Sequence, residues 1–133
     1  QAEQTYVSTL VYRWEPGVRG LIHHLDGLAA SVQAQRAFEA DEHERSVRLA
    51  RIAREKFDTT ATAVPTALDR DVSLFSSWLE TVACRVSGFA QSAETLRAAG
   101  ESALAGETHA ASETYERSTT QFDRAFDCER ESA

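Results

Sequence analysis

The sequence lacks methionine, has a single lysine, and holds only two prolines, two cysteines and six glycines among its 133 residues. Scarce proline and glycine beside a hydrophobic share of 42% exclude disordered and collagen-like chains. No apolar run approaches the roughly 20 residues that a transmembrane helix needs. The length fits one domain, residues 1–133.

The missing methionine and the cysteine count bear on where the protein works. Because no initiator is present, we expect Gln1 to follow a removed leader or an upstream membrane anchor, or to mark a truncation. Cys84 and Cys128 lie in no CxxC motif and have no histidine-rich neighbourhood, which excludes zinc-ribbon and thioredoxin-like sites. Paired cysteines suit an exported protein. We therefore expect an extracytoplasmic location: secreted, periplasmic or anchored at the cell surface.

Positive charge is also in short supply. The net charge is -7 and the pI is about 5.1. This balance opposes non-specific binding to nucleic acid or to an anionic membrane surface. We expect neither as a partner.

The first third of the chain has the periodicity of a helix. Apolar residues recur at alternating steps of three and four, which predicts one helix over about residues 3–38. Pro16 falls inside it and predicts a kink. Two helices sharing one phase, with Pro16 in the first turn of the second, are the alternative. The stripe that we expect to be buried comprises Val7, Val11, Trp14, Val18, Leu21, Leu25, Leu28 and Val32.

Two further helices are predicted in the middle of the chain. Asp41 is the expected N-cap of the second, which would end near Thr62, before Pro65. Its expected core residues are Leu49, Ile52, Ala53 and Phe57. The third is predicted over residues 68–96, with the stripe Leu68, Val72, Phe75, Leu79, Val82, Val86, Phe89, Ala93 and Leu96.

A fourth helix completes the expected fold. Gly100 and Gly106 bracket a turn and can each take the left-handed conformation that ends a helix. The last helix is predicted over about residues 107–127 and buries Ala111, Tyr115, Thr119, Phe122 and Phe126. Short connections predict an all-α, antiparallel, up-down-up-down four-helix bundle. Attraction between a basic second helix and an acidic fourth helix would favour this packing.

The two cysteines test the hairpin formed by the last two helices. Gly106 lies midway between Cys84 and Cys128, so both cysteines should lie at the same height. Both side chains point away from the core stripes of ideal helices, which opposes bridge geometry. A disulfide becomes possible if the chain leaves helical geometry after Phe126. Free thiols, or an intermolecular bond through Cys128, are the alternatives.

Candidates for chemistry are few. His23, His24 and His43 are the weak candidates for a metal or haem site, but adjacent histidines on a helix diverge by about 100° and a solvated pair is the simpler interpretation. Arg36, Arg45 and Arg48 could hold a small anion between helices. No nucleophile elbow, catalytic cysteine motif or nucleotide-binding glycine loop is present. We expect neither an enzyme nor a bound cofactor.

The layout resembles one class of protein. The features that carry the resemblance are Tyr6 and Val7 opening the first helix, the Thr62–Leu68 segment before the third, and the turn from Ala98 to Glu107. Together they resemble the extracytoplasmic helical-bundle domains of lipoproteins and sensor ectodomains in GC-rich bacteria. The resemblance implies a binding or scaffolding module and supplies no catalytic residues.

The predicted function is therefore a non-enzymatic, exported module that binds a protein partner or its own copy. A sensor domain that recognises a small anion is the first alternative. A metal- or haem-binding bundle is the second. Tyr12 is the aromatic side chain best placed for an exposed contact, and Trp78 either covers the core or contacts another chain.

Overall fold

The computed structural model describes residues 2–70 and 76–132, and among these the side chains of all but residues 2–7, 10, 11, 13, 131 and 132. This part of the chain is all-α, without a strand. Its helices are α1 (Ala2–Glu39), α2 (His43–Arg70), α3 (Ser76–Leu104), α4 (Thr108–Phe126) and the short α5 (Cys128–Ser132). The four long helices pack against each other as a bundle. None of the helices described here has the length and hydropathy to cross a membrane.

The prolines do not divide the helices. α1 runs without a break through Pro16, so the prediction of one helix is confirmed and the two-helix alternative is wrong. α2 runs through Pro65 and ends at Arg70, so the predicted end near Thr62 is wrong. Ala61, whose carbonyl loses a partner four residues before Pro65, is exposed and can be solvated by water.

The predicted start of the third helix at residue 68 is also wrong, because α2 continues through Pro65 to Arg70. Leu68 belongs to α2 and packs against the buried cluster around Val64 and Leu79. Val72 and Phe75 lie outside the described residues. The rest of the predicted stripe is confirmed, since α3 buries Leu79, Val82, Val86, Phe89, Ala93 and Leu96.

Two predicted turn residues take other roles. Asp41 does not cap α2: it has a left-handed φ of 61° in the α1–α2 turn, and the backbone carbonyl of Glu42 accepts the first hydrogen bond, from the Ser46 amide. Gly106 takes the expected left-handed conformation, with φ 81°. Gly100 lies inside α3 instead, where it is buried against Val47.

A chain of aromatic rings forms the centre of the core. Phe57 of α2, Phe89 of α3 and Phe122 of α4 are buried, and Phe89 lies 5.5 Å from the first ring and 5.1 Å from the second, between centroids. The predicted burial of Phe57 and Ala53 is confirmed, whereas Ile52 is exposed. The prediction for Phe126 is also wrong, since its side chain is exposed.

Each long helix packs along the next one in the chain. α1 contacts α2, α2 contacts α3, and α3 contacts α4, but no ion pair among the described residues joins α2 to α4. The expected attraction between α2 and α4 is therefore wrong. The basic residues of α2 bind α3 instead, with Arg51 at 2.9 Å from Glu101 and Arg54 at 3.7 Å from Glu94.

The cysteines lie at disulfide distance. α4 ends at Phe126, Asp127 forms a turn, and α5 begins at Cys128, so the predicted departure from helical geometry is confirmed. The Cα atoms of Cys84 and Cys128 are 5.9 Å apart and the pair forms a disulfide. Arg85 holds Glu129 at 2.9 Å and so fixes α5 to the same flank of α3.

Candidate interaction surface

The large apolar side chains of α1 point away from the core, which is the main departure from the sequence prediction. Trp14, Val18, Leu25 and Val32 were expected to be buried and are exposed. Leu21 and Leu28 are half-buried. The side chains of Val7 and Val11 lie outside the described residues.

Apart from His24, the buried face of α1 is built from small residues. Gly17, Gly20, His24, Gly27, Ser31 and Ala34, spaced by three and four residues, form the inner ridge. A Cβ atom on Gly27 would lie 2.8 Å from a ring carbon of Phe57, so the aromatic ring occupies the space of a side chain. Two helices can approach this closely only where one of them has no bulky side chains. The inner ridge thus displaces the larger residues to the opposite face.

Side-chain hydroxyl groups fix α2 against this ridge. The buried Ser46 hydroxyl donates a hydrogen bond of 2.9 Å to the Ala34 carbonyl, and the Thr60 hydroxyl lies 3.3 Å from the Gly20 carbonyl. Both acceptors belong to small residues of α1. The α1–α2 contact is therefore specific in register, and α1 cannot rotate to bury its larger residues without breaking the Ser46 bond and moving the Gly20 carbonyl away from Thr60.

The consequence is a continuous apolar stripe on the outside of α1. Val18, Ile22, Leu25, Ala29 and Val32 form the outer stripe, and all five are exposed. Ile22 is 53% exposed and Leu25 is 59% exposed. Both side chains therefore lie on the surface and not in the core. The spacing is four, three, four, three, which is the a/d pattern of a coiled-coil seam. The outer stripe is roughly 21 Å long.

α4 contacts α1 near the C-terminal end of α1, through the side chain of Tyr115. The Tyr115 ring stacks on Phe38 with centroids 4.2 Å apart, and its hydroxyl donates a 2.7 Å hydrogen bond to the Glu39 carboxylate. Burial and this carboxylate raise the pKa of Tyr115 well above its ordinary value. The Tyr115 hydroxyl therefore stays protonated.

The three histidine candidates for a metal site do not come together. His24 is buried between Phe57 and Phe89, with ring centroids 5.8 and 5.6 Å away, so its interpretation as a solvated residue is wrong. His23 is half-buried, and His43 packs against Phe38 with 4.8 Å between centroids. Among the residues described, no three His, Cys, Asp or Glu side chains are grouped so as to hold a metal ion.

His24 is the buried titratable group of the core. Within the described chain, nothing hydrogen-bonds its Nδ1 atom. Burial lowers the pKa of His24 below the ordinary value of 6.5, and the positive charge of Arg85 lowers it further. A neutral imidazole between two phenylalanine rings packs as an aromatic side chain.

Two of the three arginine candidates for an anion site share one depression. Arg45 and Arg48 line an open depression of about 430 Å³ whose other lining residues include the acidic Asp41, Glu42 and Glu44. Arg45 pairs with Glu42 at 3.2 Å. Arg36 is exposed and does not line this depression. Carboxylates that surround the two guanidinium groups would repel a small anion.

Two exposed aromatic residues lie outside the outer stripe. Tyr12 is exposed, as predicted, and the guanidinium carbon of Arg70 lies 3.8 Å above the centre of its ring. Trp78 is the most exposed large apolar side chain described and does not cover the core. Neither forms a stripe with helical spacing.

Comparison of the chain with family models, with curated proteins and with solved structures found no match. Its function must therefore be argued from its own residues. Val18, Leu25 and Val32 of the outer stripe were visible in the sequence as part of the predicted apolar face. The small residues of the inner ridge have the same helical spacing and were the signal that a second face competes for the core.

Proposed function

We propose that this protein is a non-enzymatic, exported helical-bundle module that binds a protein partner through the outer stripe of α1. The observation that carries the proposal is the exposure of Val18, Ile22, Leu25, Ala29 and Val32 at coiled-coil spacing. Contiguous exposed apolar surface on a soluble protein is typical of interaction sites. A row of this spacing fits the apolar edge of a second helix.

The bundle arrangement proposed for this module is up-down-up-down. Ser46 bonds Ala34 while the later Thr60 contacts the earlier Gly20, which supports opposite directions for α1 and α2. The Ser92 hydroxyl bonds the Ser118 carbonyl, while a Cβ on the earlier Gly88 would touch the later Ala125. We also propose that α1 bends near Pro16, where one backbone donor is missing.

The export part of the proposal is supported by the cysteine pair. A disulfide between Cys84 and Cys128 persists in oxidising compartments and is rare in reducing ones. The resemblance to extracytoplasmic bundle domains of bacterial lipoproteins and sensor ectodomains belongs to the same proposal. Together they favour an extracytoplasmic location.

Site-specific photo-crosslinking in the organism that makes the protein tests the proposed surface. A photoreactive amino acid at Leu25 should yield one dominant protein adduct, because a partner helix would lie against this residue. The same amino acid at Thr59, which is exposed on α2, is the matched control and should yield none. Equal crosslinking from both positions, or none from Leu25, would contradict the proposal.

A further inference from the structure

One edge of the outer stripe carries charges of both signs. Arg19 and Asp26 lie on the same exposed flank, one residue after Val18 and Leu25 respectively. If Val18 and Leu25 occupy d positions, Arg19 and Asp26 occupy successive e positions. Glu15 holds the Arg19 guanidinium at 3.0 Å along this edge.

The other edge of the stripe is apolar. Leu21 and Leu28 occupy the g positions and are half-buried, with Leu28 packed against the central core cluster. A partner helix on the outer stripe would therefore meet apolar side chains on one flank and one charge of each sign on the other. This asymmetry restricts which helix can bind and in which direction.

A second copy of α1 satisfies these restrictions. We infer that two copies of the protein pair through their outer stripes, antiparallel and related by a two-fold axis, with Ile22 of each copy opposite Leu25 of the other. The inference rests on the proposed function, because it names the occupant of the same surface. The two-fold axis makes every contact occur twice.

Charge selects this register over its neighbours. With Ile22 opposite Leu25, the e positions that face each other are Arg19 and Asp26 of the other copy, so two ion pairs form. A shift by one heptad in one direction brings Asp26 against Asp26, and a shift in the other brings Arg19 against Arg19. Like charges directly opposite each other are unfavourable, so both shifted registers are disfavoured. In the favoured register, Leu21 and Leu28 also face each other across the axis.

The predicted association is weak but measurable. A contact between two stripes roughly 21 Å long is smaller than most stable interfaces, so a dissociation constant on the order of micromolar is expected. Sedimentation equilibrium on the purified, oxidised protein from about 1 µM to about 100 µM should show a monomer–dimer equilibrium.

Substitutions within the stripe test its role. Leu25→Gln should weaken dimerisation by about tenfold or more, because it places an amide in the centre of the contact. Ile52→Ser is the matched control: Ile52 is an exposed aliphatic side chain of α2, and its substitution should leave the dissociation constant unchanged. Circular dichroism confirms that each variant is folded. A protein that stays monomeric at all these concentrations, or a dimer unaffected by Leu25→Gln, overturns the inference.

Charge reversal tests the register. Arg19→Asp alone and Asp26→Arg alone should each weaken self-association by about tenfold, since each creates two like-charge contacts. The double variant Arg19→Asp/Asp26→Arg should restore it. A mixture of the two single variants should form mainly heterodimers in native mass spectrometry, because both contacts are then complementary. A statistical mixture, or no rescue, overturns the proposed register.

These experiments separate the inference from the proposed function. If the protein is monomeric but Leu25 still crosslinks to a different protein in the producing organism, self-pairing is wrong and the interaction surface stands. If Leu25 crosslinks to nothing and no dimer forms, both are wrong. An adduct between two copies of this chain, dependent on Arg19 and Asp26, supports both.

Discussion

At the residue scale, Gly27 shows how a missing side chain determines the fold. A Cβ atom built on Gly27 would lie only 2.8 Å from the ring of Phe57, which is fully buried. The aromatic core and the exposure of Leu25 are therefore consequences of the same close contact. A larger residue at position 27 would force α1 away from α2.

The substitution Gly27→Ala tests this contact. We expect it to lower the free energy of unfolding by about 1 to 3 kcal/mol, because the methyl group overpacks the core against Phe57. Gly17→Ala is the matched control: its Cβ would lie 3.8 Å from the nearest atoms, an ordinary contact, and alanine's helix propensity should raise stability by up to about 1 kcal/mol. Urea unfolding of both variants measures the difference. Equal effects at the two positions would show that the inner ridge is not closely packed.

The buried His24 predicts that the stability of the fold depends on pH. Because burial lowers its folded-state pKa below 6.5, the unfolded chain binds the proton more tightly. Its contribution to stability is thus complete above about pH 6.5 and is lost as the pH falls below this value toward the folded-state pKa.

Urea unfolding at pH 7.5 and pH 5.5 checks this prediction. The free energy of unfolding of the unmodified protein should fall between the two, and His24→Gln should remove part of that fall because glutamine does not titrate. His109→Gln is the control, since His109 is exposed and paired with Glu113 at 3.0 Å. An unchanged pH dependence in His24→Gln would assign the effect to other groups.

At the scale of elements, α5 shows how a short helix is fixed by covalent and ionic contacts. It has five residues, too few for a stable helix alone, but Cys128 is bonded to Cys84 and Glu129 to Arg85. A backbone hydrogen bond lowers the pKa of Glu129, and the Arg85 guanidinium lowers it further. Both contacts hold the end of the α3–α4 hairpin.

Reduction of the disulfide tests its contribution. The bond closes a loop of 44 residues, for which the chain-entropy estimate is about 4 kcal/mol. We expect reductant to lower the free energy of unfolding by up to this amount while the helix content is retained. The double variant Cys84→Ser/Cys128→Ser should resemble the reduced protein and ignore reductant. No change on reduction would mean that the bridge does not constrain the unfolded chain.

At the scale of the whole molecule, the outer stripe is an apolar face of α1 that the bundle leaves exposed. The core is assembled from α2, α3 and the small residues of α1, with α4 closing the aromatic centre through Phe122. The ion pairs of Arg51 and Arg54 fix α3 to α2 from outside. No further helix of the described chain covers the outer stripe, so its five side chains stay exposed.

Much of the fold could be predicted from the sequence, because it depends on local properties. Three- and four-residue spacing specified the helices, Gly106 specified the α3–α4 turn, and its position midway between Cys84 and Cys128 placed both cysteines at the same height. The end of α2 could not be predicted from Pro65, because burial of Val64 and Ala67 on either side of the proline offsets the hydrogen bond that it removes.

The sequence by itself determined that the chain forms long helices, that the apolar stripe from Leu79 to Leu96 is buried, and that the two cysteines lie at the same height. Only the tertiary structure decided which face of α1 enters the core. Both faces have helical spacing, and hydrophobicity alone favours the one with Leu25 and Val32. Packing against Phe57 requires small residues instead, because two backbones can approach closely only where side chains are absent, and this left the apolar face of α1 exposed.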